Sequence, residues 1–492
     1  MGIIRRQTIK NNAVSLLGVA IGAVSQLLIY PLDVELKGHI DGIVSFATLL
    51  VPLLLLGTPA VMVRYLPYLR GENEVRNAGQ LLTRSLVVST LALLVIVALN
   101  LLLGDRLAVG RGVLENSRWT IIGISATLVY AGIFTSHLIN FQRIALPVIF
   151  NNLLIKVGAP VLVLAAVYGY LSDRQVDGWL VVLYGSSALG LLLYAWRLGV
   201  LHLGWGSLDL DGVRVRELYG LAVYSVFGAI GSRLAAQLDT VSINTFLGDV
   251  DTGIYAIAKY VMNVIIIPTV AINAITSPIV ARAWRERDLS HLGFLYRESA
   301  MVLYAVGGLI YVGAVVCMPY VYNLTDGLEA YRIGYASVLL LGGAQLFDLM
   351  TSINGNLIGM TDYYRWNVIL VLILGVLNVF LNYLFIAVLG YGMTGAALST
   401  LVSLLLYNIL KVGFVYWKMR LQPLTMSLLY TTLVLVGCGL AAWFLPLNAR
   451  SSVQVIVRGS LVCLLFFGYL RFTNGVPALR RLLTNGVGKM FT

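Results

Sequence analysis

The sequence predicts an all-α polytopic membrane protein of about fourteen transmembrane helices. Three observations carry this. Of 492 residues, 59% are hydrophobic and 11% charged, whereas soluble globular domains carry about 25% charged residues. Apolar runs of roughly 20 residues recur along the whole chain, each long enough to cross about 30 Å of hydrocarbon. No polar stretch exceeds about 20 residues, which leaves no room for a separate water-soluble domain.

Hydropathy and turn signals place the spans at approximately 12–31, 42–64, 80–103, 119–138, 146–170, 178–200, 217–247, 252–281, 297–321, 333–357, 366–389, 393–417, 425–446 and 453–472. The basic start MGIIRRQTIK precedes the first span, and no small-x-small cleavage site follows it, so an uncleaved first helix is expected. Arg6 stands where a myristoylation signal needs Ser or Thr. An even number of spans puts both termini on one side. With that side cytoplasmic, roughly 22 of the 34 Lys and Arg lie inside, about 7 outside and about 5 within spans. The outer loops instead hold the acidic or neutral strings DVELKGHID, SDRQVD, GDVD and TDGLE. This is the positive-inside asymmetry. It accounts for the net charge of +12 through topology and contact with anionic lipid, with no need of nucleic acid as a partner.

Several function classes drop out at once. An ATP-driven pump needs a nucleotide-binding loop, and GVGKM at 486–490 lacks its first Gly and its Ser or Thr. Cys317, Cys438 and Cys463 are isolated in apolar spans and read as small hydrophobes. His39, His137, His202 and His291 are scattered over span ends and loops without metal-ligand spacing. Neither a metal nor another cofactor is expected.

The chain carries a weak internal repeat. AVSLLGVAIG from Ala13 parallels AVYSVFGAIG from Ala222. VPLLLLGTPAVMVRYLP parallels IPTVAINAITSPIVARAW, with Pro52 and Pro268 early, Pro59 and Pro278 later, and Arg64 and Arg282 at the exits. Two parallel six-helix lobes follow, 1–205 and 206–420, with two further helices and a tail in 421–492. Parallel repeats with substrate between them are a recurrent transporter device.

The run LDTVSINTFLGDVDTGIYAIAKYVMNVIIIPTVAINAITSPIVARAWRERD, 238–288, resembles the polysaccharide flippase (Wzx-type) family of the MOP superfamily. The resemblance rests on Asp239, the turn FLGDVDTGIYAIAKY, Pro268, Pro278, Ile279, Ala281 and Arg282. LGTPAVMVRYLPYLRGENE resembles that family's second-helix exit and GYGMTGAALSTLVS its twelfth-helix entry, so the likeness covers nearly the whole chain. YPLDVELKGHIDG departs from the family's usual first outer loop. The resemblance implies a MATE-like, V-shaped pair of lobes that alternates between inward-open and outward-open states. It also implies a bacterial inner (cytoplasmic) membrane location with both termini cytoplasmic.

A Lys, Arg or Asp at a helix centre costs about 2.5–3.5 kcal/mol on insertion scales. Five such positions are singled out: Lys156, Arg233, Asp239, Lys259 and Asp348. Arg233 and Asp239, six residues apart, point about 120° apart and sit about 9 Å apart along a helix, so they are not each other's intrahelical partner. Lys259 is expected at a depth near Asp239 across the short GDVDTG turn. Two readings stand side by side: structural ion pairs, or a cationic cavity in which Arg233, Lys259 and Lys156 receive a diphosphate head group, Arg with its planar fork. Arg64, Asn263 and Gln26 complete the candidate substrate site. Asp239 and Asp348 are candidates for ion coupling or for structural hydrogen bonding. Asn354, Asn356, Asn378 and Asn382 either meet sugar hydroxyls or join helices.

The expected function is translocation of an undecaprenyl-diphosphate-linked oligosaccharide from the inner to the outer leaflet, for O-antigen, lipopolysaccharide, capsule or exopolysaccharide synthesis. Membrane lipids, a coupling proton or sodium ion and a polysaccharide polymerase are the partners this implies. A MATE-like drug or cation exporter and a lipid II flippase share the topology and stand as alternatives. A polymerase or ligase would need a sizeable catalytic outer loop, and every outer loop is under about 20 residues, so no enzyme activity is expected.

Overall fold

A computed structural model describes residues 14–15, 17–65, 74–108, 113–141, 143, 145–206, 215–324, 326–351, 353–472 and 479. Every regular element among them is helical. Thirteen helices have the length and apolar composition to cross a membrane. In chain order, with the shorter first helix, they are α1 (Leu17–Leu32), α2 (Val34–Leu55), α3 (Arg76–Gly104), α4 (Arg118–Asn140), α5 (Leu146–Val167), α6 (Asp173–Arg197) and α7 (Glu217–Phe246). They continue as α8 (Asp249–Arg285), α9 (Leu289–Val321), α10 (Gly327–Thr351), α11 (Tyr364–Val388), α12 (Gly392–Met419), α13 (Met426–Trp443) and α14 (Ser451–Phe472). The chain is a multi-pass membrane protein.

The helices present aliphatic surface to lipid. On α3, Leu91, Leu94, Val95, Leu101 and Leu102 are exposed, while Leu81 and Leu82 at its start are buried. With the backbone groups away from the helix ends satisfied within the helix, such a surface is stable in hydrocarbon.

Two boundaries differ from the sequence expectation for a physical reason. The second span was expected to begin at 42, with YPLDVELKGHIDG as a loop. Instead Asp33 caps α2, its carboxylate accepting from the Leu36 N–H at 2.9 Å, so Lys37, His39 and Asp41 lie within the helix. The tenth span was expected to run to 357. It ends at Thr351, and a separate short helix follows at Asn354–Gly359, so Asp348 sits one turn from a break and not at mid-span.

Internal contacts divide the chain into two compact units, Met1–Gly253 and Ile254–Thr492. In the first, α2 is central: it packs on α4 and α7, and α4 packs on α6. Two buried clusters run along it, one around Leu54, Leu82, Ile133 and Leu191, the other around Ile43, Ile124, Val163 and Leu180. In the second, α10 packs on α12, and α13 and α14 pack together and on α9.

Candidate functional site

The break at the end of α2 shapes a groove in the first unit. Leu56 enters the left-handed region (φ 48°) and its N–H closes the helix on the Pro52 carbonyl at 3.2 Å. Gly57 follows at φ 74°, and the chain restarts as a short helix, Thr58–Tyr65. A Cβ on Gly57 would lie 2.3 Å from the Ala222 carbonyl oxygen, so α7 can approach this corner only because the residue is glycine. Beside the contact is a cavity of about 710 Å³ walled by Leu56, Leu81, Val88, Val223, Phe227 and one cation, Arg84. Arg84 donates through Nη2 to the Gly206 carbonyl at 2.5 Å and lies over the Trp205 ring at 6.0 Å. Its Nη1 is buried and lacks a hydrogen-bond partner among the described residues. A buried donor of this kind costs about 1–3 kcal/mol or more unless something accepts from it. An apolar groove with a half-satisfied guanidinium suits an amphiphile with an anionic head.

None of the expected site residues of the first unit lines it. Arg64 is exposed on the short helix after α2. Gln26 lies in a π-helical turn of α1, Ser25–Ile29, with its side-chain oxygen buried and unpartnered. Lys156 is half-buried on α5, and its chain lies along α1: a Cβ on Gly18 would meet its Cδ at 3.4 Å. Arg233 is exposed on α7, while Asp239 on the same helix is 6% exposed. Lys156 is therefore brought against α1, and Arg233 has no ion pair among the described residues.

In the second unit, Lys259 is half-buried and Asn263 exposed on α8. Asp348 accepts from Asn408 Nδ2 at 2.9 Å, and Asn408 Oδ1 in turn accepts from the Thr351 hydroxyl at 2.9 Å, which ties α10 to α12. Of the asparagines, Asn356 donates to Asn273 and Thr276 of α8, and Asn378 donates to Thr400 of α12. Both join helices. Asn354 differs: it is buried, and neither polar atom of its side chain has a partner among the described residues.

Besides Arg84, four groups escaped sequence reasoning. His39 faces Asp177 of α6 through Nε2 at 3.0 Å and Asp249 of α8 through Nδ1 at 3.3 Å. Lys37 pairs with Asp41 one turn on and lies over the Tyr30 ring at 4.6 Å. Lys411 on α12 is 6% exposed, with Nζ 4.3 Å from the Tyr407 ring centroid and 3.7 Å from where a Cβ on Gly355 would sit. Arg458 on α14 is buried, donates to the Ala442, Trp443 (2.7 Å) and Leu445 (2.9 Å) carbonyls, and so caps the end of α13. A signal existed for the last two, because each is a cation inside an apolar span. Nothing in sequence separates 39, 177 and 249 from ordinary loop polarity.

No protein-family model matches the chain, and no curated protein matches it in sequence. Solved structures do match in fold. The lipid II flippase MurJ in an inward closed conformation aligns with TM-score 0.71 over 94% of this chain and 99% of its own, at 12% identity. An inward-facing multidrug resistance MATE family transporter of the MOP superfamily aligns with TM-score 0.61 over 83% of this chain and 94% of its own, at 14% identity. A MOP superfamily transporter from Pyrococcus furiosus, described as having a binding pocket of reversed polarity, aligns with TM-score 0.55 over 85% and 95%, at 15% identity. The chain, whose regular elements among the described residues are all helical, therefore shares the fold of these solved membrane transport proteins.

Proposed function

We propose that the chain is a flippase that carries an undecaprenyl-diphosphate-linked oligosaccharide from the cytoplasmic to the outer leaflet by alternating access, in cell-surface polysaccharide synthesis. The observation that carries this reading is the groove at the α2 break. Its wall is mainly apolar, with the hydroxyls of Thr58, Ser85 and Tyr219 and a single cation, Arg84, whose buried Nη1 has no acceptor among the described residues. A polyprenyl chain fills apolar volume and its diphosphate accepts from guanidinium. A small cationic drug would meet a like charge there. The fold likeness to a lipid II flippase over 94% of the chain supports a lipid-linked cargo.

In this reading Arg84 receives the diphosphate, and Arg64, Lys156, Arg233, Lys259, Gln26 and Asn263 are further contacts along its route. Asp239 and Asp348 serve ion coupling or hold helices. The lobes 1–205 and 206–420 rock about a midplane site, and a proton or sodium gradient or the membrane potential supplies the energy. The location is a bacterial inner membrane, with membrane lipids and a polysaccharide polymerase as neighbours. The protein acts as a transporter and not as an enzyme.

Proteoliposomes loaded with fluorescent lipid-diphosphate oligosaccharide test this. The wild type is expected to equalise the label between leaflets. Arg84→Gln and Arg233→Ala are expected to slow that step about tenfold or more, the loss of one charge-assisted contact, at unchanged thermal stability. Export of a cationic drug without flipping of lipid would replace the proposal with the MATE-like alternative. Full activity of both variants would remove the cationic site.

A further inference from the structure

His39 stands on α2, one and a half turns above its Asp33 cap, at a junction of four elements. Its two ring nitrogens each face a carboxylate: Nε2 meets Asp177 Oδ1 at 3.0 Å, and Nδ1 meets Asp249 Oδ2 at 3.3 Å. The carboxylates are themselves anchored. Asp177 Oδ2 accepts from the Ser117 hydroxyl at 2.5 Å and from Thr120 at 3.2 Å, and Asp249 Oδ1 accepts from Asn244 Nδ2 at 2.6 Å. A neutral imidazole has one N–H and one lone pair, so it satisfies only one of two facing carboxylates, whereas the imidazolium donates to both. Other charges near the ring are spent elsewhere. On α2 itself Lys37 pairs with Asp41. Arg118, beside Ser117, reaches to within 3.0 Å of where a Cβ on Gly104 would sit, at the end of α3. Asp251 adds a second carboxylate in the first turn of α8.

The backbone around the ring is equally committed. A Cβ on Gly38 would fall 1.7 Å from the Asp249 carbonyl oxygen, one on Gly42 would fall 2.6 Å from Asn244 Nδ2, and one on Gly253 would fall 2.1 Å from the Val34 carbonyl oxygen. Gly38 and Gly42 form a G-x-x-x-G face, the small-residue device by which membrane helices approach closely. The first turn of α8 thus docks on α2 through backbone contact with His39 at its edge.

We propose that His39 is a proton-binding site whose occupancy clamps the α7–α8 turn to α2 and α6. The bound proton completes the second of two N–H donors. When it leaves to water, the ring keeps N–H toward the shorter contact, Asp177, and turns the Nδ1 lone pair toward Asp249. Two acceptors then face each other, and the start of α8 is released. Because α8 is one continuous helix from Asp249 to Arg285, the release acts on an element that runs into the second unit. The site goes beyond the transport reading and does not depend on the identity of the cargo.

The test uses the full chain in lipid nanodiscs with ¹⁵N-labelled histidine, the four ring signals being resolved with His39→Gln. Both nitrogens of His39 are expected to remain protonated at a pH where a free imidazole, ordinarily near 6.5, has lost its proton. Asp177→Asn and Asp249→Asn are each expected to move the His39 transition toward that of free imidazole. In parallel, amide exchange of residues 247–253 is expected to rise about tenfold or more, after correction for base catalysis, as His39 deprotonates, the size of one lost charge-assisted bond. His39→Gln is expected to abolish that pH step. Titration of His39 as a free imidazole, near 6.5, overturns the proton site. A pH-independent exchange pattern in the wild type overturns the clamp.

Discussion

Arg458 shows how a single cation inside a span is held without a counter-ion. Its guanidinium faces three carbonyl oxygens at the end of α13 and stacks 4.8 Å from the Tyr320 ring centroid. The last carbonyls of a helix have no intrahelical donor, and in lipid no water replaces one. Arg458→Leu is therefore expected to lower the unfolding free energy by about 2–3 kcal/mol, the cost of uncovering buried acceptors. The thermal midpoint of the detergent-purified protein checks this, and flipping per folded molecule should be unchanged. Lys411 is the contrasting case. It is a buried cation beside the Tyr407 ring and the Gly355 backbone, within electrostatic reach of Asp348, whose Oδ1 accepts from Asn408. In the sequence neither residue stands apart, because each lies within two or three turns of a basic flank, Lys418–Arg420 in one case and Arg450 in the other.

At the scale of elements, glycines decide which helices meet. The break at Leu56–Gly57 ends α2 and lets α7 close on the groove, and Gly38 and Gly42 admit the first turn of α8. A methyl group at Gly38 has no room to form without displacing backbone. Gly38→Ala is expected to separate α2 from the α8 start and to destabilise the first unit by about 1–3 kcal/mol, as overpacked core substitutions do. Limited proteolysis within 247–253 should accelerate, whereas Gly437→Ala, which would meet nothing within 4 Å, should leave the cleavage pattern as in the wild type. The G-x-x-x-G spacing was present in YPLDVELKGHIDG, but reading that segment as a loop concealed it. Three charges in five residues outweigh helical periodicity in a hydropathy average, and the Asp33 cap that starts the helix is a local hydrogen bond which that average does not register.

For the whole molecule, the parity of the spans sets the topology. Among the described residues, thirteen helices of sufficient length and the shorter α1 stand in the order of the fourteen expected spans. The basic segments 282–297 and 418–420 then fall on one side and the α7–α8 turn on the other. A reporter active only in the cytoplasm is expected to work when fused after 472 and to fail when inserted at 247–248. The reverse pattern would invert the orientation. A working reporter at both places would show that the crossings between them are even in number.

Composition alone determined that the chain lives in a membrane as an array of helices, because 59% apolar residues leave hydrocarbon as the solvent that accepts them, and hydrocarbon admits few backbone forms. The sequence also determined the rough place of each span, and most of its helices fall within a few residues of those limits. What the tertiary structure decided is which charged and polar groups stand together. Arg84 at its groove and His39 between Asp177 and Asp249 unite residues up to 210 positions apart. Their meeting depends on backbone approaches that only glycines at 38, 42 and 57 permit, and a one-dimensional pattern of polarity carries no record of which helix faces which.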